Sequence, residues 1–159
     1  MNMNGLRIKK VSKNDILKIY KAEKEVFQDN AFTKSLLKDL ISKALYFLKL
    51  IKGVTNNMIG FAIVIKDRAD RANIINFLIF PEYQGQGFGS HLLYNIIGLI
   101  KSNHSEVKKI VLNVKTSNIK ALKLYEKFGF THVEELKNYY QSGEASYFME
   151  LSLNQKEKG

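Results

Sequence analysis

A glycine-rich turn between an apolar segment and a helix is the part of this 159-residue sequence best suited to chemistry. Residues 74–80 are mostly apolar, Pro81 ends them, and glycines follow at Gly85, Gly87 and Gly89. Glycine lets the backbone turn with no Cβ in the way, so that successive N–H groups can point outward together. A helix that begins there adds unpaired N–H groups and the positive end of its dipole. The sequence therefore predicts a strand, a turn and a helix start that bind a phosphorylated ligand.

The spacing of the glycines decides which phosphate-binding pattern this is. A P-loop needs Gly-Lys followed by Ser or Thr, and no lysine stands near Gly89. The dinucleotide fingerprint GxGxxG needs a third glycine where this chain has Ser90. What remains is QGQGFG at residues 84–89, directly after Pro-Glu-Tyr. This pattern resembles the acetyl-CoA pyrophosphate loop of the GNAT superfamily of N-acetyltransferases, with a merely tight glycine turn as the alternative.

The resemblance implies acetyl-CoA as the cofactor and a set of residues that bind it. In this superfamily the pantetheine amides pair with the exposed backbone of the strand, which here means Phe77 and Ile79. The Ile79 N–H is also the candidate donor to the oxyanion that develops during acetyl transfer. The implied cofactor-binding residues lie in the strand, in the turn and at the start of the helix that follows. They are Phe77, Leu78, Ile79, Gln84, Gly85, Gln86, Gly87, Phe88, Gly89 and Ser90.

A second motif lies in residues 118–130, NIKALKLYEKFGF. It is similar to the superfamily pattern N-x-x-A-x-x-x-Y-x-x-x-G-F after a strand. The resemblance implies that Asn118 contacts the pantetheine arm and that Tyr125 binds the cofactor and protonates the departing thiolate as general acid. The alternatives are a helix N-cap for Asn118 and a core aromatic for Tyr125.

A third motif indicates which class of acceptor substrate the protein uses. Residues 137–140 and 143–149, KNYY and GEASYFM, resemble the last hairpin of the protein N-terminal acetyltransferases, including those acting on ribosomal proteins. The resemblance implies that Tyr139 and Tyr140 hold the first residues of a peptide, although adjacent tyrosines on a hairpin also suit edge packing. Residues 27–32 resemble the substrate loop of the same subgroup, which makes Phe27 and Asp29 substrate-binding candidates.

One position departs from the subgroup. Its bacterial members place a general-base Glu two residues before the Lys115 position, and this chain has Asn113 there. Asn113 cannot accept a proton but can hold a water, with proton removal passed to Asp29, Tyr83 or solvent. Tyr83 is accordingly a further candidate beside the substrate.

Reference pKa values favour one class of acceptor at a site with a weak base. An α-amino group with a pKa near 7.7–8.0 is roughly 10% neutral at pH 7, whereas a lysine side chain near 10.4 is neutral to under about 0.1%. The gap between the two pKa values, about 2.5 units, corresponds to roughly 3.4 kcal/mol of free energy that a base must help supply to deprotonate lysine. An α-amine therefore suits this chain better than lysine.

Length and composition indicate one domain over residues 1–153 with a frayed polar tail at 154–159. The absence of an apolar N-terminal run or a long apolar segment favours the cytoplasm and no membrane. The absence of cysteine excludes disulfides and thiolate metal sites, and the three scattered histidines suggest no metal. The +10 net charge favours anionic partners such as coenzyme A or a ribosomal surface, and also suits a solvated lysine-rich surface. The lysines form no nucleic-acid signature, so we expect no specific nucleic-acid binding, and a monomer or homodimer.

The element order predicts an α+β fold: one strand, two helices, three strands, a helix, a strand, a helix and two strands. The strands are expected at residues 6–11, 44–51, 58–66, 74–80, 109–114, 132–140 and 146–153. Ser12 and Asp15 resemble a capping box that opens the first helix, whose inner face carries Glu23 among apolar residues. The second helix should begin at Thr33 with Leu36, Leu37, Leu40 and Ile41 on one face, and Gly129 should follow the last helix. A strand–helix–strand crossover implies a parallel pair, so the sheet should be mixed and mostly antiparallel, with helices on both faces. In the GNAT fold, which has this order, the central parallel pair splays around acetyl-CoA.

These observations predict an acetyl-CoA-dependent N-acetyltransferase acting directly on the α-amino group of a protein or peptide N-terminus. One alternative is the same fold acting on a small amine such as a polyamine or antibiotic. Another is a non-catalytic acetyl-CoA-binding sensor or subunit that has lost its base at Asn113.

Overall fold

The computed structural model describes residues 3–54 and 57–153. Outside these ranges lie the tail expected at 154–159 and residues 55–56, between the second and third strands. The strands are β1 Leu6–Lys10, β2 Tyr46–Lys52, β3 Asn57–Arg68, β4 Arg71–Ile79, β5 Lys109–Lys115, β6 Thr131–Leu136 and β7 Ser146–Ser152. The α-helices are α1 Ile16–Phe27, α2 Lys34–Lys43, α3 Phe88–Asn103 and α4 Ile119–Lys127. This is the predicted order of elements.

The seven strands form a sheet in the order β1-β2-β3-β4-β5-β7-β6. Antiparallel pairing joins β1 to β2, β2 to β3, β5 to β7 and β6 to β7. Strands β4 and β5, which α3 connects, are parallel, with Arg71 opposite Lys109 and Ile74 opposite Leu112. The prediction of a mixed, mostly antiparallel sheet with a central parallel pair is confirmed.

The chain divides into two compact units, Met1–Ile65 with Ile75–Leu92 and Lys66–Ile74 with Leu93–Gly159. In the first unit, α1, α2, β2, β3 and the end of β4 share one apolar cluster. Its buried members are Val11, Ile16, Ile19, Leu37, Leu40, Phe47, Ile51, Met58, Phe61, Ile63, Leu78 and Phe80. The buried side chains of the second unit include Leu93, Ile96, Ile100, Ile110, Leu112, Leu122, Phe130 and Met149. That the whole chain behaves as one domain stays a prediction.

Local signals position three of the helices as predicted. The Ser12 N–H donates to Asp15 Oδ2 at 2.8 Å in a capping box that precedes α1. Thr33 caps α2 by accepting a hydrogen bond from the Leu36 N–H at 3.1 Å. Gly129 follows α4 with a φ of +98°, the left-handed conformation that glycine adopts most readily.

Two features of the predicted elements are wrong. The strand expected at 132–140 ends at Leu136, because Asn138 has a φ of +55°, a left-handed conformation that leaves the extended path of a strand. Tyr139 and Tyr140 therefore lie in a connection rather than on a strand. Leu36, expected on the buried face of α2, is 41% exposed, whereas Leu37 and Leu40 are buried.

Strand β4 occupies the central position predicted for it, but its faces differ in burial. Ile74, Asn76 and Leu78 on one face are buried, whereas Ile75 and Phe77 on the other face are half-buried. Among the described residues, no helix combines the length and apolar character that crossing a membrane requires.

Candidate active site

The predicted glycine turn is present in the first unit, between β4 and α3. Pro81–Tyr83 forms one turn of 3₁₀ helix after Phe80, and the Tyr83 N–H donates to the Phe80 carbonyl at 2.8 Å. The Gln84 side chain then reaches back and donates to the Ile79 carbonyl at 2.8 Å. This bond fixes the start of the turn against the end of the strand.

Backbone conformation explains the first two glycines of the turn. Gly85 has a φ of +78° and Gly87 a φ of +89°, values that residues with a Cβ rarely adopt. A Cβ on Gly85 would meet no heavy atom within 4 Å, so conformation rather than crowding requires glycine there. A Cβ on Gly87 would lie 3.2 Å from Met3 Cε.

The turn fits the pyrophosphate of acetyl-CoA. It carries exposed glycines at 85 and 87 directly before the first turn of the 16-residue helix α3. Backbone N–H groups at such a position, and the helix dipole, favour a bound anion. The Phe88 side chain is buried, with Lys52 Nζ 5.6 Å from its ring centre, so Phe88 can offer a ligand its backbone rather than its ring.

Gly60 on β3 is a residue whose role the sequence did not reveal. A Cβ there would lie 2.6 Å from the Leu78 carbonyl oxygen and 2.7 Å from Ile79 Cδ1. Gly60 therefore allows β3 to approach the segment of β4 that carries the predicted cofactor contacts and the predicted oxyanion donor. The available signal was an isolated glycine inside an apolar predicted strand, which suggests a close backbone approach but does not say to which neighbour.

The predicted substrate residues of the first unit lie in different surroundings. Phe27 ends α1 half-buried against the apolar cluster, and Asp29 is exposed in the 3₁₀ turn Gln28–Asn30. Tyr83 is half-buried, and its hydroxyl accepts a hydrogen bond from Asn57 Nδ2 at 3.0 Å. The buried Glu23 of α1, which sequence reasoning placed only on the inner helix face, contacts the segment that follows the 3₁₀ turn.

In the second unit, Asn113 is held by a residue that sequence reasoning missed. Asn113 lies half-buried on β5, and its Oδ1 accepts a hydrogen bond from Ser146 Oγ on β7 at 3.0 Å. Ser146 is fully buried. The signal available in the sequence was its place in the GEASYFM motif, at the start of a predicted strand.

Tyr125 is buried in α4, and its ring packs edge-on against Phe130 with the ring centres 5.7 Å apart. Burial raises the pKa of the Tyr125 hydroxyl, and the neighbouring Tyr140 raises it further. The hydroxyl therefore remains protonated throughout the neutral range, as a proton donor must. Asn118 is exposed and caps α4, its Oδ1 accepting a hydrogen bond from the Ala121 N–H at 3.2 Å, so the helix-cap alternative is realised.

Tyr139 and Tyr140 form a perpendicular ring pair, with centres 4.9 Å apart, in the connection between β6 and β7. Both N–H groups donate to the Glu144 carbonyl, at 3.1 and 3.2 Å. Burial raises the pKa of the Tyr140 hydroxyl to about 12, while a hydrogen bond with Ser146 opposes the rise. Lys115 Nζ lies 5.8 Å from the Tyr140 ring centre and 2.9 Å from Glu144 Oε1.

The structure thus gathers these candidates into a first-unit group and a second-unit group. The first comprises the strand end, the glycine turn and the loop after α1, and the second comprises Asn113, Tyr125 and the tyrosine pair. Within residues 3–54 and 57–153, no three His, Asp or Glu side chains are placed to hold a metal ion.

Residues 13–130 match the model of the Acetyltransferase (GNAT) family. The chain belongs to this family. The predicted superfamily and enzyme class are therefore confirmed, and acetyl-CoA, the cofactor that GNAT acetyltransferases use, is confirmed at the level of the family.

Two curated relatives share part of the sequence. The [ribosomal protein bS18]-alanine N-acetyltransferase of Haemophilus influenzae is 45% identical over 93 residues, 58% of this chain and 60% of that protein. The N-alpha-acetyltransferase of Sulfolobus acidocaldarius is 31% identical over 83 residues, 52% of this chain and 49% of that protein. The matched segments thus span about half to three-fifths of these relatives.

Solved structures match nearly the whole chain. The ribosomal-protein-S18-alanine N-acetyltransferase of Escherichia coli has a TM-score of 0.81 and 25% identity, covering 96% of this chain and 97% of that one. The spermidine N-acetyltransferase of Vibrio cholerae, solved with CoA and spermine, has a TM-score of 0.78 and 21% identity, covering 93% of this chain and 95% of that one. The second likeness shows the fold alone.

Proposed function

We propose that this protein transfers the acetyl group of acetyl-CoA directly to the α-amino group of a protein or peptide N-terminus. The bound cofactor supplies an activated acetyl thioester. The backbone of the glycine turn holds its pyrophosphate, and the Ile79 N–H is the proposed donor to the developing oxyanion. Tyr125, whose hydroxyl stays protonated at neutral pH, is the proposed donor to the leaving sulfur.

The observation that carries the choice of acceptor is the hydrogen bond from Ser146 to Asn113. Asn113 is an amide whose side-chain oxygen already accepts a hydrogen bond from the Ser146 hydroxyl, so this position contributes no general base. An amine that is neutral in appreciable amount at pH 7 then has the advantage, and the reference pKa values give that advantage to α-amines over lysine.

Three further observations support a peptide acceptor. Tyr139 is 47% exposed beside the more buried Tyr140, and amphipathic aromatic side chains of this kind provide contact area for a bound peptide. The name of the H. influenzae relative makes a ribosomal peptide that begins with alanine the first acceptor to try. The +10 charge suits an acceptor presented near an anionic surface such as the ribosome.

The experiment is thiol release from acetyl-CoA with three classes of amine. They are short peptides with free N-termini that differ in their first two residues, lysine peptides with blocked N-termini, and spermidine. Turnover confined to free N-terminal peptides is the expected result. Preference for spermidine or blocked lysine peptides would assign a small-amine or lysine acetyltransferase instead. Acetyl-CoA binding with no turnover on any amine would favour a non-catalytic sensor or subunit.

A further inference from the structure

The Glu23 carboxylate joins three segments of the first unit. Glu23 lies in α1 and is fully buried. Its Oε1 accepts a hydrogen bond from the Phe32 N–H at 2.8 Å, and its Oε2 accepts one from Asn76 Nδ2 of β4 at 2.6 Å. One side chain therefore connects the first helix, the segment before α2 and the central strand.

A carboxylate in this position is costly unless its oxygens are satisfied. Burial raises the pKa of Glu23, while the hydrogen bonds from Phe32 and Asn76 oppose the rise. Both donors are neutral amides. Burying an unpaired charge destabilises a fold strongly, so the carboxylate favours the arrangement in which both donors stay in place.

The segment that Glu23 holds is residues 27–32, here termed the acceptor loop. Its own hydrogen bonds include the one from the Ala31 N–H to the Gln28 carbonyl at 3.1 Å. Gln28 has a φ of +52°, an uncommon conformation for a residue other than glycine. A short turn that begins in such a conformation needs outside contacts to hold one position, and Glu23 provides one at the end of the loop.

The second partner of Glu23 lies next to the predicted cofactor contacts. Asn76 immediately precedes Phe77 on β4, and Phe77 and Ile79 are the proposed partners of the pantetheine arm. We infer that Glu23 is a positioning residue that fixes the acceptor loop to the cofactor-binding strand and thereby sets the affinity for the acceptor. This inference rests on the proposed function, because the acceptor is assumed to contact the loop.

The test compares Glu23→Ala with Glu25→Ala, an exposed glutamate of the same helix. Glu23→Ala is expected to raise the KM for the peptide acceptor about tenfold, since small misplacements of a binding group are costly, and to leave the KM for acetyl-CoA within about twofold. Glu23→Gln keeps the length and an accepting oxygen, so its acceptor KM should lie between those of Glu23→Ala and the wild type. Glu25→Ala should match the wild type.

Hydrogen exchange of the Phe32 amide provides a readout that needs no substrate. Exchange at Phe32 should be faster in Glu23→Ala than in Glu25→Ala, with Glu23→Gln between them. If Glu23→Ala does not fold, Glu23→Gln against Glu25→Gln gives the same comparison. An unchanged acceptor KM, or an equal rise in both KM values, would overturn the inference. A wild-type protein that acetylates no amine would refute the proposed function. Hydrogen exchange at the Phe32 amide would still test whether Glu23 holds the acceptor loop.

Discussion

The side-chain oxygen of Asn113 accepts a hydrogen bond from the hydroxyl of Ser146 across the β5–β7 pair, at 3.0 Å. Ser146 is fully buried, and Asn113 is half-buried. The pair places two neutral polar groups at the position where the resemblance implies a general-base Glu in bacterial relatives. Under the proposed function, it bears on how the proton of the acceptor is removed.

A carboxylate at position 113 should change the pH dependence of the reaction. Asn113→Glu is expected to raise kcat/KM at pH 7 by at least about tenfold, because a positioned base assists proton removal. The rising limb of the pH–rate profile should move to lower pH. The measurement is thiol release at a series of pH values, with Asn113→Ala as the control that adds no base. Equal profiles for the two variants would mean that this position takes no part in proton removal.

Removing the Tyr125 hydroxyl should slow the chemical step and spare cofactor binding. Phenylalanine keeps the edge-on packing against Phe130, so Tyr125→Phe should lower kcat about 100-fold and leave the acetyl-CoA Kd nearly unchanged. Burial raises the pKa of Tyr125, so its protonated form persists as the pH rises, and wild-type activity should not fall between pH 7 and pH 9 through its ionisation.

The matched control for this change is Tyr94→Phe, because Tyr94 is 70% exposed on α3. It should match the wild type in both kcat and Kd. An equal loss of acetyl-CoA affinity and kcat in Tyr125→Phe would assign Tyr125 to packing rather than to proton donation.

The conformation of Gly85 should be required for cofactor binding beyond its effect on stability. Gly85→Ala is expected to weaken acetyl-CoA binding about tenfold, because the left-handed backbone disfavours a Cβ by roughly 1–2 kcal/mol and a relaxed turn no longer aims its N–H groups at the pyrophosphate. Calorimetric titration with acetyl-CoA measures the change.

Gly53 provides a close control for Gly85. Its φ of +80° resembles the +78° of Gly85, and a Cβ added to either glycine would meet no heavy atom within 4 Å. Gly53→Ala should lower stability to a similar extent and leave acetyl-CoA affinity unchanged. Equal affinity losses in both variants would show that the turn at 85 has no special relation to the cofactor.

Gly60 should be intolerant of even one methyl group. The Cβ of Gly60→Ala would lie 2.6 Å from the Leu78 carbonyl oxygen, so β3 and β4 must move apart. Overpacking of this kind costs about 1–3 kcal/mol of unfolding free energy. Gly98→Ala, on an exposed part of α3 with no atom within 4 Å of the added Cβ, should be neutral or slightly stabilising. Urea midpoints measure both, and similar midpoints would contradict the close approach.

Elements whose signals are local in the chain were predictable from the sequence. The glycine turn follows from an apolar run, one proline and three spaced glycines, and the capping box of Ser12 and Asp15 is contained in four residues. The parallel β4–β5 pair follows from the length of the crossover, because α3 is long enough to span it.

Features that depend on distant partners were not predictable. Glu23 and Asn76 are 53 residues apart, and only folding shows that the carboxylate has a donor on β4. The close approach at Gly60 and the hydroxyl of Ser146 beside Asn113 likewise depend on neighbouring strands. The tyrosine pair was misplaced because the positive φ of Asn138 ends the strand four residues early, at Leu136.

The most direct test of the proposed function is competition between two amines within one peptide. A ribosomal-type peptide that begins with alanine and carries one internal lysine is incubated with the protein and acetyl-CoA at pH 7, and fragmentation mass spectrometry locates the acetyl group. The proposed function predicts acetylation at the α-amino group and none above background at lysine. Acetylation mainly at the lysine side chain would contradict it.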